Sequence, residues 1–157
     1  MKESLDEAMQ ELVRADHLIY VSLKYIRTVD VIRSVINRLL NSFDFGVISL
    51  LKLAKHKKKI EDYPKNVALR CALAKKLYKD EEIIKSIDFY LNLRKIIRAE
   101  YKKSSEYRRH VTMTALTEEG LVNVDIDKVG EFYTKAQEFV EMVRNKIDET
   151  ETKKQDL

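Results

Sequence analysis

Val31-Ile32-Arg33-Ser34-Val35-Ile36-Asn37-Arg38-Leu39-Leu40-Asn41-Ser42-Phe43-Asp44-Phe45-Gly46-Val47-Ile48-Ser49-Leu50-Leu51-Lys52-Leu53-Ala54 is the most apolar stretch of the chain. Its large apolar residues recur at helical spacing, at Val31, Ile32, Val35, Ile36, Leu39, Leu40, Phe43, Val47, Leu50 and Leu51. The stripe is too wide for a helix lying on a surface and predicts one buried on two sides, at the centre of a bundle. The expected helix covers about residues 30–58. Gly46 inside it costs about 1 kcal/mol relative to Ala, so it marks a place where a neighbouring helix approaches closely.

Upstream, Ser4-Leu5-Asp6-Glu7 has the Ser-x-x-Glu spacing of a capping box. Leu5, Met9, Leu12, Val13, Asp16 and Tyr20 come next at helical spacing, with Ile19 and Leu23 continuing the apolar face. This predicts a first helix over about 4–26. Thr28 or Asp30 then caps the central one after a tight turn, with a single continuous helix as the alternative. Downstream, Tyr63-Pro64 is a stop, because proline cannot continue a helix and biases Tyr63 to an extended form. A helix is expected over 66–79, and Asp80 caps another over 81–103 with Ile84, Ile87, Leu91 and Ile97 facing the core. Residues 104–125 break the period and read as a long loop with one short helical turn. Asp125 or Asp127 caps a last helix over 126–149, with Val129, Phe132, Ala136, Phe139, Val140, Val143 and Ile147 buried. Residues 150–157 read as a frayed polar tail. The fold class is therefore all-α: a bundle of about five antiparallel helices forming a single domain over 1–149, with no β-sheet. Three glycines and one proline in 157 residues agree, since turn-rich β architectures need more.

With 45% apolar and 36% charged residues, the chain suits a packed core under a charged surface. A domain of this size buries roughly 68–70% of its unfolded surface and needs no disulfide or metal to hold it. Cys71 is the sole cysteine and sits in a helical apolar pattern, which reads as a packing thiol. The first residues are too polar for a signal peptide, and no apolar run approaches the roughly 18 residues of a membrane span, so a cytoplasmic location is expected. A net charge of +4 permits a polyanionic partner without demanding one.

Several chemistries have no residues to perform them. None of the three histidines follows a carboxylate by three positions, no His-x-x-x-His occurs, and one cysteine cannot build a thiolate zinc site. No metal or cofactor is expected. The isolated glycines cannot form a phosphate-cradling loop. Asp125-Ile126-Asp127 has the look of a two-carboxylate clamp but reads as helix caps. The run Lys52, Lys55, His56, Lys57, Lys58 and Lys59 complements the partial charge of a helix C-terminus, with a nucleic-acid patch as the alternative. The stretch richest in binding chemistry runs from Tyr90 to Tyr101, followed by Tyr107-Arg108-Arg109-His110. Arg94 and Arg98, four apart, share a helix face flanked by Tyr90 and Tyr101. Arginine forks take phosphate oxygens in pairs, and tyrosine rings stack on bases. The alternative is a solvated face paired with nearby acids. The candidate ligand-binding residues are Arg94, Arg98, Tyr101, Arg108, Arg109 and His110.

Two segments in the second half carry a family likeness. Leu93-Arg94-Lys95-Ile96-Ile97-Arg98-Ala99-Glu100-Tyr101 resembles the Leu-Arg-Asn-x-x-x-His-x-Tyr signature of the HEPN superfamily, compact helical bundles associated with nucleotides and RNA. Phe132 to Val143 resembles its terminal helix, with Ala136, Phe139 and Val140 on the core side. The resemblance spans about residues 80–147. It implies a homodimer and a binding function for nucleotide or RNA phosphate, or a partnership with a nucleotidyltransferase. Family ribonucleases cut RNA with the Arg and His of the signature. Here Arg94 matches the Arg, but Ala99 stands at the His and Lys95 at the Asn. Alanine cannot transfer a proton, a step that contributes typically 10²–10⁴-fold. The resemblance therefore implies a non-catalytic member. Two alternatives stand beside it: a ribonuclease using His110 with Arg108 or Arg109, and a purely structural interaction bundle.

Overall fold

The computed structural model describes residues 1–155. The fold is mostly helical, with 71% of the chain in five helices, and it also holds a small three-stranded sheet. Helix α1 runs through Lys2–His17, a π-helical turn at Leu18–Ser22 and a last α turn at Leu23–Tyr25; α2 is Val29–His56, α3 Val67–Leu77, α4 Glu81–Arg98 and α5 Ile126–Gln155. The central position expected of α2 is observed: it touches all four other helices, and Ile32, Val35, Ile36, Leu39, Phe43, Leu50 and Leu51 are fully buried.

Each boundary has a local cause. The Thr28 hydroxyl accepts from the Val31 N–H at 3.3 Å and opens α2. Its far end closes before Pro64, in a Schellman motif: Lys58 N–H donates to the Lys55 carbonyl and Lys59 N–H to that of Ala54, with Lys58 itself left-handed at φ 60°. Asn66 caps α3, Asp80 caps α4 and Asp125 caps α5, each accepting first-turn amides. The expected Ser4–Glu7 capping box does not form. Helix α1 already begins at Lys2, so Ser4 lies inside it, buried, and its hydroxyl accepts from Lys52 Nζ at 2.8 Å. The expected frayed tail is also corrected in part: α5 continues through Thr150 to Gln155, and residues 156–157 lie outside the described residues.

An aromatic stack ties the helices together. Phe43 of α2 stacks on Tyr90 of α4 at 5.4 Å and on Phe139 of α5 at 5.3 Å, and Phe89 tilts against Phe43 and Phe132. Gly46 admits Phe139: an added Cβ would stand 2.6 Å from its Cε2. Glu11 on α1, only 5% exposed, is neutralised by Arg14 and by Arg38 of α2.

The region 99–125 overturns the expectation of a sheet-free fold. Glu100–Ser104 (β1), Thr112–Thr117 (β2) and Gly120–Val124 (β3) form an antiparallel sheet in sequence order. Val111, Met113, Ala115 and Val124 are buried while Thr112, Thr114 and Leu116 face outward. That alternation has period two, which is why a search at helical period finds only a break. Helix α4 accordingly stops at Arg98, not 103, and Ala99 turns extended (φ −70°, ψ 155°). Arg33 holds the exit: its Nη2 donates to the Ile97 carbonyl at 3.1 Å, and its guanidinium lies 4.1 Å over the Tyr101 ring.

Candidate functional site

The candidate residues of α4 do not form one face with Tyr101. Arg94 is half-buried near Asp44, Arg70 and Tyr90. There burial, then the Asp44 charge, pushes the Cys71 thiol up to about 11, and the Arg94 charge partly offsets the rise. Asp44 is engaged by Arg70 at 3.2 Å and by the Tyr90 hydroxyl at 3.4 Å. Arg98 is exposed and lines a shallow groove of about 290 Å³ with Lys95 and with Glu118 and Glu119 of the β2–β3 turn. Tyr101 lies on β1 and packs against Arg33. Arg108, Arg109 and His110 are exposed on the β1–β2 connection, and of these Arg109 and His110 enter a common cleft.

That cleft, about 490 Å³, opens where the C-terminal end of α1, the β1–β2 connection and the start of α5 meet. Ile19 and Ile126 give it apolar surface over the buried Leu23; Tyr20, Lys24 and Arg27 come from α1 and the residues just after it, Arg109 and His110 from the connection, and Asp125 and Asp127 from the start of α5. The π-helical turn sets the α1 wall. Inserting one residue into a turn rotates the downstream side chains by roughly 100° relative to a continuous α-helix. Tyr20, read from the sequence as part of the apolar face, is 66% exposed, as is Val13 at 69% two turns earlier.

The β1–β2 connection is clamped onto the α1–α2 junction. Tyr107 N–H donates to the Arg27 carbonyl at 2.7 Å. The Glu106 carboxylate accepts from the Val29 N–H at 3.2 Å, satisfying a free amide at the positive end of α2. Lys103 bridges Asp30 at 3.1 Å and Glu106 at 4.0 Å. To make these contacts Ser105 and Tyr107 adopt left-handed backbone, at φ 54° and 64°. Such strain persists only where the surroundings over-determine it. The clamp joins Tyr107 to Arg27 and brings Arg109 and His110 into one cleft with Lys24 and Arg27.

The cleft joins Tyr20 to three cations, and two more tyrosines are exposed close by in the sequence. Tyr25 and Tyr107 are each 78% exposed, and Ile26 and Val21 add apolar surface beside them. The sequence offered Tyr107-Arg108-Arg109-His110 as binding chemistry but not Tyr20, Lys24, Tyr25 or Arg27. Tyr20, Lys24 and Tyr25 sit inside a helical pattern and Arg27 just beyond it, and the docking of a connection 80 residues away is what sets Arg109 and His110 beside Lys24 and Arg27. No family model, no curated protein and no solved structure matches the chain.

Chemically, tyrosine faces take unpaired bases and the cations take phosphates. Among the described residues no hydrogen bond orients the His110 ring, whereas a proton-transferring imidazole is held by a partner. No group of three or more His, Cys, Asp or Glu residues comes together to hold a metal ion, and no helix is long and apolar enough to cross a membrane, both among the described residues.

Proposed function

We propose that the chain is a non-catalytic, HEPN-like binding module that takes single-stranded RNA at the end of α1. The observation that carries this reading is a cleft that Tyr20 shares with Lys24, Arg27 and Arg109, with the neighbouring residues Tyr25 and Tyr107 exposed. Stacking contributes about 1–3 kcal/mol per base, and every base has a face to stack, so the surface suits a flexible strand better than a duplex. The test is fluorescence anisotropy of a labelled single-stranded RNA. Tyr25→Ala with Tyr107→Ala should weaken binding at least tenfold, and affinity should fall with salt at a log–log slope of roughly −0.7 per phosphate contacted. Unchanged affinity in the double variant would remove the reading.

A ribonuclease is the second reading, favoured by His110 sharing the cleft with Arg27 and Arg109. It requires that the parent cleave single-stranded RNA and that His110→Ala abolish cleavage while staying folded. The wide stripe of α2 and the aromatics around Tyr90 and Tyr101 also suggest a homodimer, but that stripe and Tyr90 are buried inside the bundle. A homodimer, like a nucleotidyltransferase partner, therefore rests on the family resemblance. Sedimentation, and mass spectrometry of co-purifying proteins, test them.

A further inference from the structure

One wall of the cleft is at odds with a simple phosphate site. Lys24, Arg27 and Arg109 attract a polyanion, yet Asp125 and Asp127 line the same space. The two carboxylates are not equivalent. Asp125 commits Oδ1 to the Lys128 N–H at 2.9 Å, capping α5. Asp127 is exposed and, among the described residues, enters no ion pair and no side-chain hydrogen bond. A free carboxylate beside phosphate cations weakens anion binding unless the ligand offers it a donor, because an ionised carboxylate only accepts. The sugar–phosphate backbone of a nucleic acid carries one such donor, the ribose 2′-hydroxyl, and deoxyribose lacks it.

We propose that Asp127 accepts the 2′-hydroxyl of a nucleotide seated in the cleft and so makes the module selective for RNA over DNA. This deepens the RNA-binding reading and rests on it. The division of labour comes from the walls: cations of α1 and the β1–β2 connection hold the phosphates, exposed tyrosines stack the bases, and the α5 wall meets the sugar. With deoxyribose the Asp127 charge stays unpaired and repels the neighbouring phosphates. Asp127 is a specificity residue and takes no part in any covalent step.

The experiment compares three short homopolymers of the same base: oligouridine, oligodeoxyuridine and 2′-O-methyl oligouridine. The last keeps the oxygen and loses the donor. The full chain should bind oligouridine about tenfold more tightly than either of the others, the size of one hydrogen bond to a charged group. In Asp127→Ala the three affinities should converge, with oligodeoxyuridine bound as tightly as before or more so. Asp127→Asn keeps the shape and one acceptor oxygen, and should retain a preference of a few-fold. Far-ultraviolet circular dichroism checks that both variants keep the helical content of the parent. Equal binding of all three strands by the parent overturns the inference and leaves the RNA-binding reading standing. So does a preference that survives in Asp127→Ala. If no strand binds, both fall together.

Discussion

Substituting Gly46 by Ala tests the packing at the centre of the bundle, because two effects of opposite sign compete there. Replacing a helical glycine gains about 1 kcal/mol of intrinsic propensity. The new methyl, however, would meet Phe139 Cε2 at 2.6 Å, Cδ2 at 3.3 Å and Cζ at 3.5 Å. The closest of these contacts is about 1 Å inside the optimum for two carbons. The ring cannot swing aside cheaply: Phe139 is fully buried and stacks on Phe43, which stacks on Tyr90. Overpacking of this kind costs typically 1–3 kcal/mol. Taking about 2 kcal/mol for the clash and subtracting about 1 kcal/mol of propensity leaves a net loss of about 1 kcal/mol, or a Tm drop of roughly 2–4 °C. Gly130 supplies the control. It lies in α5 with nothing within 4 Å of an added Cβ, so Gly130→Ala should stabilise by up to about 1 kcal/mol. Urea denaturation of both variants measures the difference. Adding Phe139→Leu to Gly46→Ala should recover at least about 1 kcal/mol relative to additivity, since the ring edge is gone. If Gly46→Ala stabilises the protein as much as Gly130→Ala does, the close approach of α5 to α2 is not what the glycine is for.

Three further outcomes depend on single contacts. Lys58→Gly should stabilise by about 1 kcal/mol in the same urea assay, because the left-handed C′ position of the Schellman motif strains a residue with a Cβ. Arg33→Ala should cost about 2 kcal/mol through the lost Ile97 hydrogen bond and the lost contact with Tyr101, and should speed hydrogen exchange in residues 100–104; Arg33→Lys should not restore protection, since an ammonium lacks the planar fork. Stability should fall in strong alkali. Burial, with the Asp44 charge, raises Cys71 from 9.0 to about 11, and burial raises Tyr78 from 10.0 to about 12, so the folded state favours the protonated forms. That contribution is complete below 9.0 and is lost as pH climbs through about 12. A urea midpoint that stays flat across this window would contradict the burial of both groups.

Much of the helical frame was legible in the residues, and the reason is periodicity. The wide stripe of α2 could satisfy itself only at the middle of a bundle, and Thr28, Asp80 and Asp125 carry short acceptors at the positions where first-turn amides need them. Gly46 announced a close approach without saying to what. The sheet was the main thing missed. Val111, Met113 and Ala115 alternate with threonines over too short a span to stand out, and the turn at Glu118-Glu119 lacks the usual Asn-Gly, although Gly120 takes the positive φ of 126°.

The candidate site divides in the same way. Its residue types were present in Tyr107-Arg108-Arg109-His110, and the arginines of α4 carried the right chemistry in the wrong company: one lies near Asp44 and Arg70, the other faces two glutamates. What brings Tyr20, Lys24, Tyr25 and Arg27 to the connection at 105–111 is a set of contacts between residues 77 and 80 positions apart, together with a π turn that no propensity encodes. Local sequence sets where helices start, stop and bury a stripe, because those depend on neighbours within one or two turns. Which exposed side chains share a cleft depends on how the finished elements dock, and that is decided by the packing of the core as a whole, by Arg33 ending α4 and by Glu106 and Tyr107 closing onto the α1–α2 junction.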